Sequence, residues 1–208
     1  TLPHDPLINQ SFDESAGKAA GFLLRKVVWY RKTFNLPVQF QGKHIFLYFQ
    51  GAFQYCEVYL NGQHVQDHNV GYTTFTVRLD NHSLVYGPGT TNVLALRVDP
   101  TFLSGHWYEG GGINRPIHLV IAPLLHFVHD GVFVNPQSNG TSLRVQAQIE
   151  DLSSPTSTVN STATTPHLVD FTQRDSSGAV VATAQQQISS VGSVTLTPET
   201  PLQTWAPQ

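Results

Sequence analysis

The sequence predicts an all-β protein built from two sandwiches in series. Three observations carry this. Charged residues make up 12% of the chain, beside 13 Pro and 16 Gly, where an ordinary domain carries about 25% charged residues. Apolar residues recur with period two. Each apolar run ends in Gly, Pro, Asn or Asp, the residues that turn a chain.

The elements follow in order. Val27-Val28-Trp29-Tyr30, bracketed by Lys26 and Arg31, reads as a strand. Ile45, Leu47 and Phe49 share one face of the next. Cys56, Val58 and Leu60 share a face of a third, with Glu57 and Tyr59 opposite. Asn61-Gly62 then signals a short hairpin, because both turn positions need positive φ, and Val65 starts the return. Phe75, Val77 and Leu79 alternate with Thr76 and Arg78; Val93 to Val98 is apolar but for Arg97; Ile117, Leu119 and Ile121 alternate again. Many short strands at this spacing describe a sandwich.

A boundary falls between Ala122 and His126, where an aromatic-rich sequence gives way to Ser, Thr, Gln and Val. The second set of strands is Gly131 to Val134, then Leu143, Val145, Ala147 and Ile149 on one face, then Leu168–Phe171, Val180–Ala184 and Ser193–Leu196. The Ser/Thr-rich segment from Ser153 to Thr165 reads as a strand flanked by loops.

Composition excludes several function classes. The formal net charge is -3 and no basic run exceeds Arg31-Lys32, which argues against nucleic acid as a partner. No apolar run approaches the roughly 20 residues of a membrane helix. The one cysteine, Cys56, precludes an intrachain disulfide and reads as a buried apolar side chain. His64 with His68, and His126 with His129, have spacings seen in metal sites, but they lie in strand-turn segments and read as isolated surface or turn histidines. No metal and no cofactor is expected. Sequons at Asn9, Asn81, Asn139 and Asn160 are glycosylation candidates and fit a secreted or vacuolar (lysosomal) glycoprotein. The chain has no Met, and its start at Thr1 reads as that of a trimmed piece.

Six segments in one order, with an entry segment before them, carry a resemblance. Leu2-Pro3-His4-Asp5 is similar to an "LPHDW" entry segment. Trp29-Tyr30-Arg31-Lys32-Thr33-Phe34 with Leu36-Pro37 is similar to "WYRRTF.LP". Phe49-Gln50-Gly51, then Val58-Tyr59-Leu60-Asn61-Gly62, then the run from His68 to Phe75 resemble "F.G", "V.LNG" and "H.GGY..F". Leu96-Arg97-Val98-Asp99 and the run from Trp107 to Arg115 resemble "VRVDN" and "WY.G.GIYR". Together they resemble the N-terminal, non-catalytic part of family 2 glycoside hydrolases, of the β-galactosidase and β-glucuronidase kind. Trp205-Ala206-Pro207 sits where members read "LWSP" before their catalytic barrel.

The resemblance implies a galactose-binding-like jelly roll over residues 1–123 and an immunoglobulin-like sandwich over 124–208, cut before a missing (β/α)₈ barrel that holds both catalytic glutamates. This chain alone is then not catalytic. Retaining hydrolysis needs two carboxyl groups about 5–5.5 Å apart, and the acids near the aromatic loop are only Asp99 and Glu109. Asp99 reads as capping a turn or pairing with Arg97 or Arg115, and Glu109 as solvated.

The same loop is a candidate wall for a sugar cleft. Trp107 and Tyr108 offer flat faces for a sugar ring, and four glycines from Gly105 to Gly112 permit close backbone approach. Asp99, His106, Trp107, Tyr108, Glu109 and Arg115 are the candidate substrate-rim residues. Packing of Trp107 into its own core or against the barrel is the competing reading. The sequence departs from the family at Pro6, Pro100, His106 and Asn114, so contacts carried over to those places are not implied. Three functions follow: the bracing region of a glycosidase acting on O-glycosyl bonds, with a galactoside-like carbohydrate and a barrel in cis as partners; a stand-alone lectin-like module; or a protein–protein adhesion module. Oligomerisation stays open in all three.

Overall fold

The structure, a computed structural model, describes residues 1–102, 108–137, 142–153 and 166–196. Its described residues hold twelve strands and three single-turn 3₁₀ segments. Among them no helix is long and apolar enough to cross a membrane. The chain divides into two compact units, Thr1–Ala122 and Pro123–Gln208.

The first unit has seven strands: β1 (Val28–Phe34), β2 (His44–Phe49), β3 (Tyr55–Leu60), β4 (Gln63–His68), β5 (Phe75–Arg78), β6 (Asn92–Asp99) and β7 (Ile117–Ala122). They form two antiparallel sheets, β1-β6-β3-β4 and β5-β2-β7. Alternation decides what each sheet buries. Cys56, Val58 and Leu60 of β3 and Leu94, Leu96 and Val98 of β6 meet Ile45, Leu47 and Phe49 of β2 and Phe75 and Val77 of β5 in one core. Two sheets sharing one apolar layer make a sandwich. Burial, then the charges of Glu57 and Asp67, pushes the Cys56 thiol up to about 12, so it stays an unreactive thiol at neutral pH.

The Asn61-Gly62 turn has φ of 49° and 83°, as its hairpin requires. The Asn61 side chain also accepts from Val93 N at 2.7 Å and donates to Ser83 O at 2.7 Å. The hairpin is thereby tied to β6, and its register is fixed by more than the turn.

Strand limits differ from the sequence reading in both units. The first strand runs on from Val28 to Phe34, because Tyr30 and Phe34 still pack on the core while Arg31 and Thr33 face out. The return strand starts at Gln63, not Val65. Leu119 follows the expected alternation yet is exposed. It lines a cleft of about 770 Å³ in the first unit, together with Phe34, Leu47, Leu94, Leu96 and Ile117.

The second unit pairs β8 (Leu125–Pro136), β9 (Leu143–Asp151) and β12 (Val191–Leu196) in the order β12-β9-β8, and β10 (His167–Arg174) with β11 (Val180–Ile188). Val145, Ala147 and Ile149 of β9 pack on Phe171 and Ile188 of the other sheet. Strand β8 begins six residues before Gly131, the start the sequence suggested. A register shift between Phe127 and Val132 breaks the alternation that would have shown it. The strand expected within Ser153–Thr165 falls almost wholly outside the described residues.

Candidate functional site

The candidate site is the segment leaving β6. Asp99 ends that strand, and its Oδ1 accepts from Thr101 N at 3.0 Å and Thr101 Oγ1 at 2.6 Å, while Oδ2 accepts from Arg97 Nη2 at 3.1 Å. Burial pushes the Asp99 carboxyl up, but the Thr101 hydrogen bonds and the Arg97 charge outweigh it and leave it below the usual carboxylate range. Asp99 therefore caps a turn and pairs with Arg97. Arg115 does not reach it: its guanidinium donates to Gln50 O at 3.3 Å and Tyr72 O at 3.2 Å.

Glu109 was expected to be solvated, and the structure corrects this. Its side chain is 5% exposed and lies 3.4 Å from Arg25, which is equally buried. Arg25 also donates to Phe102 O at 2.9 Å and Pro100 O at 3.3 Å. One guanidinium thus holds both sides of the loop, and a buried carboxylate balances its charge. Arg25 is 84 residues away, so no local spacing signals the pair.

Tyr108 is tied in the same manner. Its hydroxyl donates to Asp5 Oδ2 at 2.5 Å, and Asp5 Oδ1 accepts from Leu7 N at 2.9 Å. Burial first, then the Asp5 carboxylate, pushes the Tyr108 phenol far above its ordinary value. Tyr108 is therefore a brace, with its polar tip engaged. Asp5 was missed as a contributor, although it stands in the matched entry segment.

The glycines explain how the segments approach. A Cβ on Gly110 would meet Asp5 Oδ2 at 3.0 Å. At Gly112, with φ of 81°, it would lie 2.3 Å from Tyr30 Oη and 2.7 Å from His4 O. Gly112 also exchanges two backbone hydrogen bonds with Phe53, at 2.8 and 3.0 Å. His106, Trp107 and Gly105 lie outside the described residues, as do Asn139 and Asn160. Asn9 and Asn81 are both exposed.

The histidines are not isolated, contrary to the sequence reading. His64 lies 2.6 Å from Asp67, and His126 lies 3.6 Å from Glu150. His68 stacks on Phe75 with ring centroids 3.9 Å apart. Glu150 faces His126 across the β8–β9 pair and Phe75 comes to His68 from the other sheet, which linear spacing does not reveal, whereas Asp67 stands three residues from His64 on the same strand.

Comparison with known proteins places this geometry. The family model described as "Glycosyl hydrolase 2 galactose-binding domain-like" matches residues 2–109. A β-galactosidase of Bacteroides ovatus is 34% identical over 140 residues, covering 66% of this chain and 16% of that protein. A β-glucuronidase of Formosa agariphila is 28% identical over 182 residues, covering 79% of this chain and 18% of that protein. The crystal structure of a glycosyl hydrolase family 2 member from Bacteroides cellulosilyticus superposes with a TM-score of 0.79 at 26% identity, over 99% of this chain and 27% of that one. The chain spans less than a fifth of the length of these two relatives. The matched jelly roll and its ordered segments show that the chain belongs to glycoside hydrolase family 2, with residues 2–109 forming its galactose-binding-like domain.

Proposed function

We propose that this chain is the non-catalytic N-terminal region of a β-galactosidase-like family 2 glycoside hydrolase. It braces a catalytic barrel carried elsewhere in the longer polypeptide and shapes one rim of its sugar cleft. One observation carries the reading: the described parts of the segment from Asp99 to Arg115, residues 99–102 and 108–115, are held by the buried Arg25–Glu109 pair, the bonds of Arg25 to Pro100 and Phe102, and the Tyr108–Asp5 hydrogen bond, beside an apolar surface. Phe12 is 82%, Phe102 63% and Ile8 60% exposed. Hydrogen bonds of Asp13 N to Phe22 O and of Gln10 to Leu24 O join the segments that bear Phe12, Phe22 and Leu24. Arg25 ties Phe102 to the same place. Exposed apolar residues gathered beside a fixed loop fit a surface that a larger body covers.

In this reading Asp99, His106, Trp107, Tyr108, Glu109 and Arg115 belong to the rim or its support, residues from Pro123 onward form an immunoglobulin-like spacer, and a galactoside is the substrate of the whole enzyme. The exposed sequons at Asn9 and Asn81 support a secreted or vacuolar glycoprotein. The test compares the 208-residue chain with the contiguous longer polypeptide on p-nitrophenyl β-galactoside and β-glucuronide. The longer polypeptide turns over the galactoside and the 208-residue chain turns over neither. Turnover by the short chain would overturn the proposal.

A further inference from the structure

The outward face of the sheet β1-β6-β3-β4 holds an ordered group of side chains with no part in the core. Register places Trp29, Arg97, Glu57 and Asp67 in one row across all four strands, and Arg31, Ala95, Tyr59 and His64 in the next. Trp29 is 61% exposed. Its ring meets that of Tyr59 across β6, with centroids 5.6 Å apart and planes 39° apart, and Tyr59 meets His64 edge-on at 5.3 Å. Ala95 stands between Arg31 and Tyr59 in the register, and its short side chain leaves room for the rings to close over β6.

The polar groups beside these rings are fixed. Arg97 donates to Glu57 Oε1 at 2.7 Å and to Asp99 Oδ2 at 3.1 Å. Tyr59 donates to Glu57 Oε2 at 2.5 Å, and His64 lies 2.6 Å from Asp67. Each carboxylate has about four acceptor sites, so Glu57 and Asp67 keep capacity for further donors. Arg97 is already matched by two carboxylates. Arg31 and Arg97 stand against Glu57, Asp67 and Asp99 on this face, so with His64 neutral the acids outnumber the bases by one; the balance disfavours a strongly anionic ligand, and the face offers flat apolar rings beside fixed acceptors.

We infer that this face is a binding platform for a neutral glycan chain. The C–H faces of adjacent hexoses stack on Trp29 and Tyr59, a separation comparable with one sugar unit of an extended chain, and hydroxyl groups donate to Glu57 and Asp67. Aromatic stacking supplies the affinity, and the tied side chains lose little freedom on binding. A protein partner could use a Trp–Tyr–Arg cluster too. The slight excess of acid over base and the spare acceptors favour the hydroxyl-rich ligand.

Calorimetric titration of the 208-residue chain with β-1,4-galactotetraose, cellotetraose and tetragalacturonate tests this. Binding of a neutral tetrasaccharide is expected, with the anionic one weaker. Trp29→Ala, at an exposed position, is expected to weaken binding about tenfold, the loss of one stacking contact, while Trp29→Phe loses less and Leu168→Ala, at an exposed position of the second unit, leaves affinity unchanged. Unfolding curves confirm that the variants remain folded. A flat trace for both neutral sugars, or binding indifferent to Trp29→Ala, would overturn the proposal. Neither result bears on glycoside turnover by the longer polypeptide, so the two proposals fail separately.

Discussion

Arg25 and Glu109, 84 residues apart, form an ion pair at 3.4 Å with each side chain 5% exposed. Arg25 stands three residues before β1, and Glu109 lies on the segment between β6 and β7. The pair therefore fixes the far side of the loop that begins at Asp99. Removing Arg25 takes this ion pair from a carboxylate that is 5% exposed. Arg25→Met is expected to destabilise the chain by about 3 kcal/mol in urea unfolding, at the low end for a broken buried pair. Adding Glu109→Gln to that variant should recover part of the loss, since the buried charge is gone.

Tyr108→Phe removes only a hydroxyl. The lost hydrogen bond to Asp5 should cost about 1.5–3 kcal/mol, as expected for a charged acceptor. The pH dependence follows from the raised phenol. A group whose folded pKa lies above its unfolded value of 10.0 contributes stability that is full below that value and fades as pH rises through the folded one. The stability advantage of wild type over Tyr108→Phe should therefore shrink above about pH 10 in thermal unfolding.

Much of this fold was legible and most of the site was not. Strands β3, β6 and β9 alternate cleanly because each buries one face only, and Cys56, Val58 and Leu60 came out on the side the pattern gave them. Gly110, Gly112 and Tyr108 were legible as members of the candidate site through the matched segments. Their partners were not. Asp5 and Tyr108 are 103 residues apart, and a buried ion pair such as Arg25–Glu109 has no periodicity. Asp99 could be read because its turn partner, Thr101, is two residues away. Strand β8 was missed in part because His126, His129, Asp130 and Gly131 hide its apolar face.

Acid should act through Asp80. Its Oδ1 accepts from Ile45 N at 2.9 Å and lies 3.0 Å from His44 Nδ1, and its Oδ2 accepts from Arg78 at 2.7 and 2.9 Å. Burial raises this carboxyl, but the bonds from His44, Arg78 and Ile45 N outweigh it and hold the pKa at about 2, against 3.8 unfolded. A depressed carboxylate contributes stability above its unfolded value that is lost as pH falls through the folded one. Urea midpoints of wild type should drop between pH 4 and about pH 2, and Asp80→Asn should be less stable at pH 7 and show a smaller drop in that window. Parallel curves for the two proteins would show that Asp80 does not carry the effect.

Two glycines of nearly equal φ separate backbone strain from steric exclusion. Gly62 has φ of 83° and Gly112 has φ of 81°, so alanine at either pays the same left-handed penalty, about 1–2 kcal/mol. A Cβ on Gly62 meets nothing within 4 Å, whereas one on Gly112 would lie 2.3 Å from Tyr30 Oη and 2.7 Å from the His4 carbonyl. The carbonyl is backbone, held by the bridge between His4 and Ile113, and cannot swing aside. Gly112→Ala should therefore cost at least about 2 kcal/mol more than Gly62→Ala in urea unfolding, from displaced backbone and the disturbed Tyr30 hydrogen bond to His4. Equal costs at the two sites would mean that the entry segment yields easily, and would remove the reason for glycine where that segment, Tyr30 and Gly112 converge.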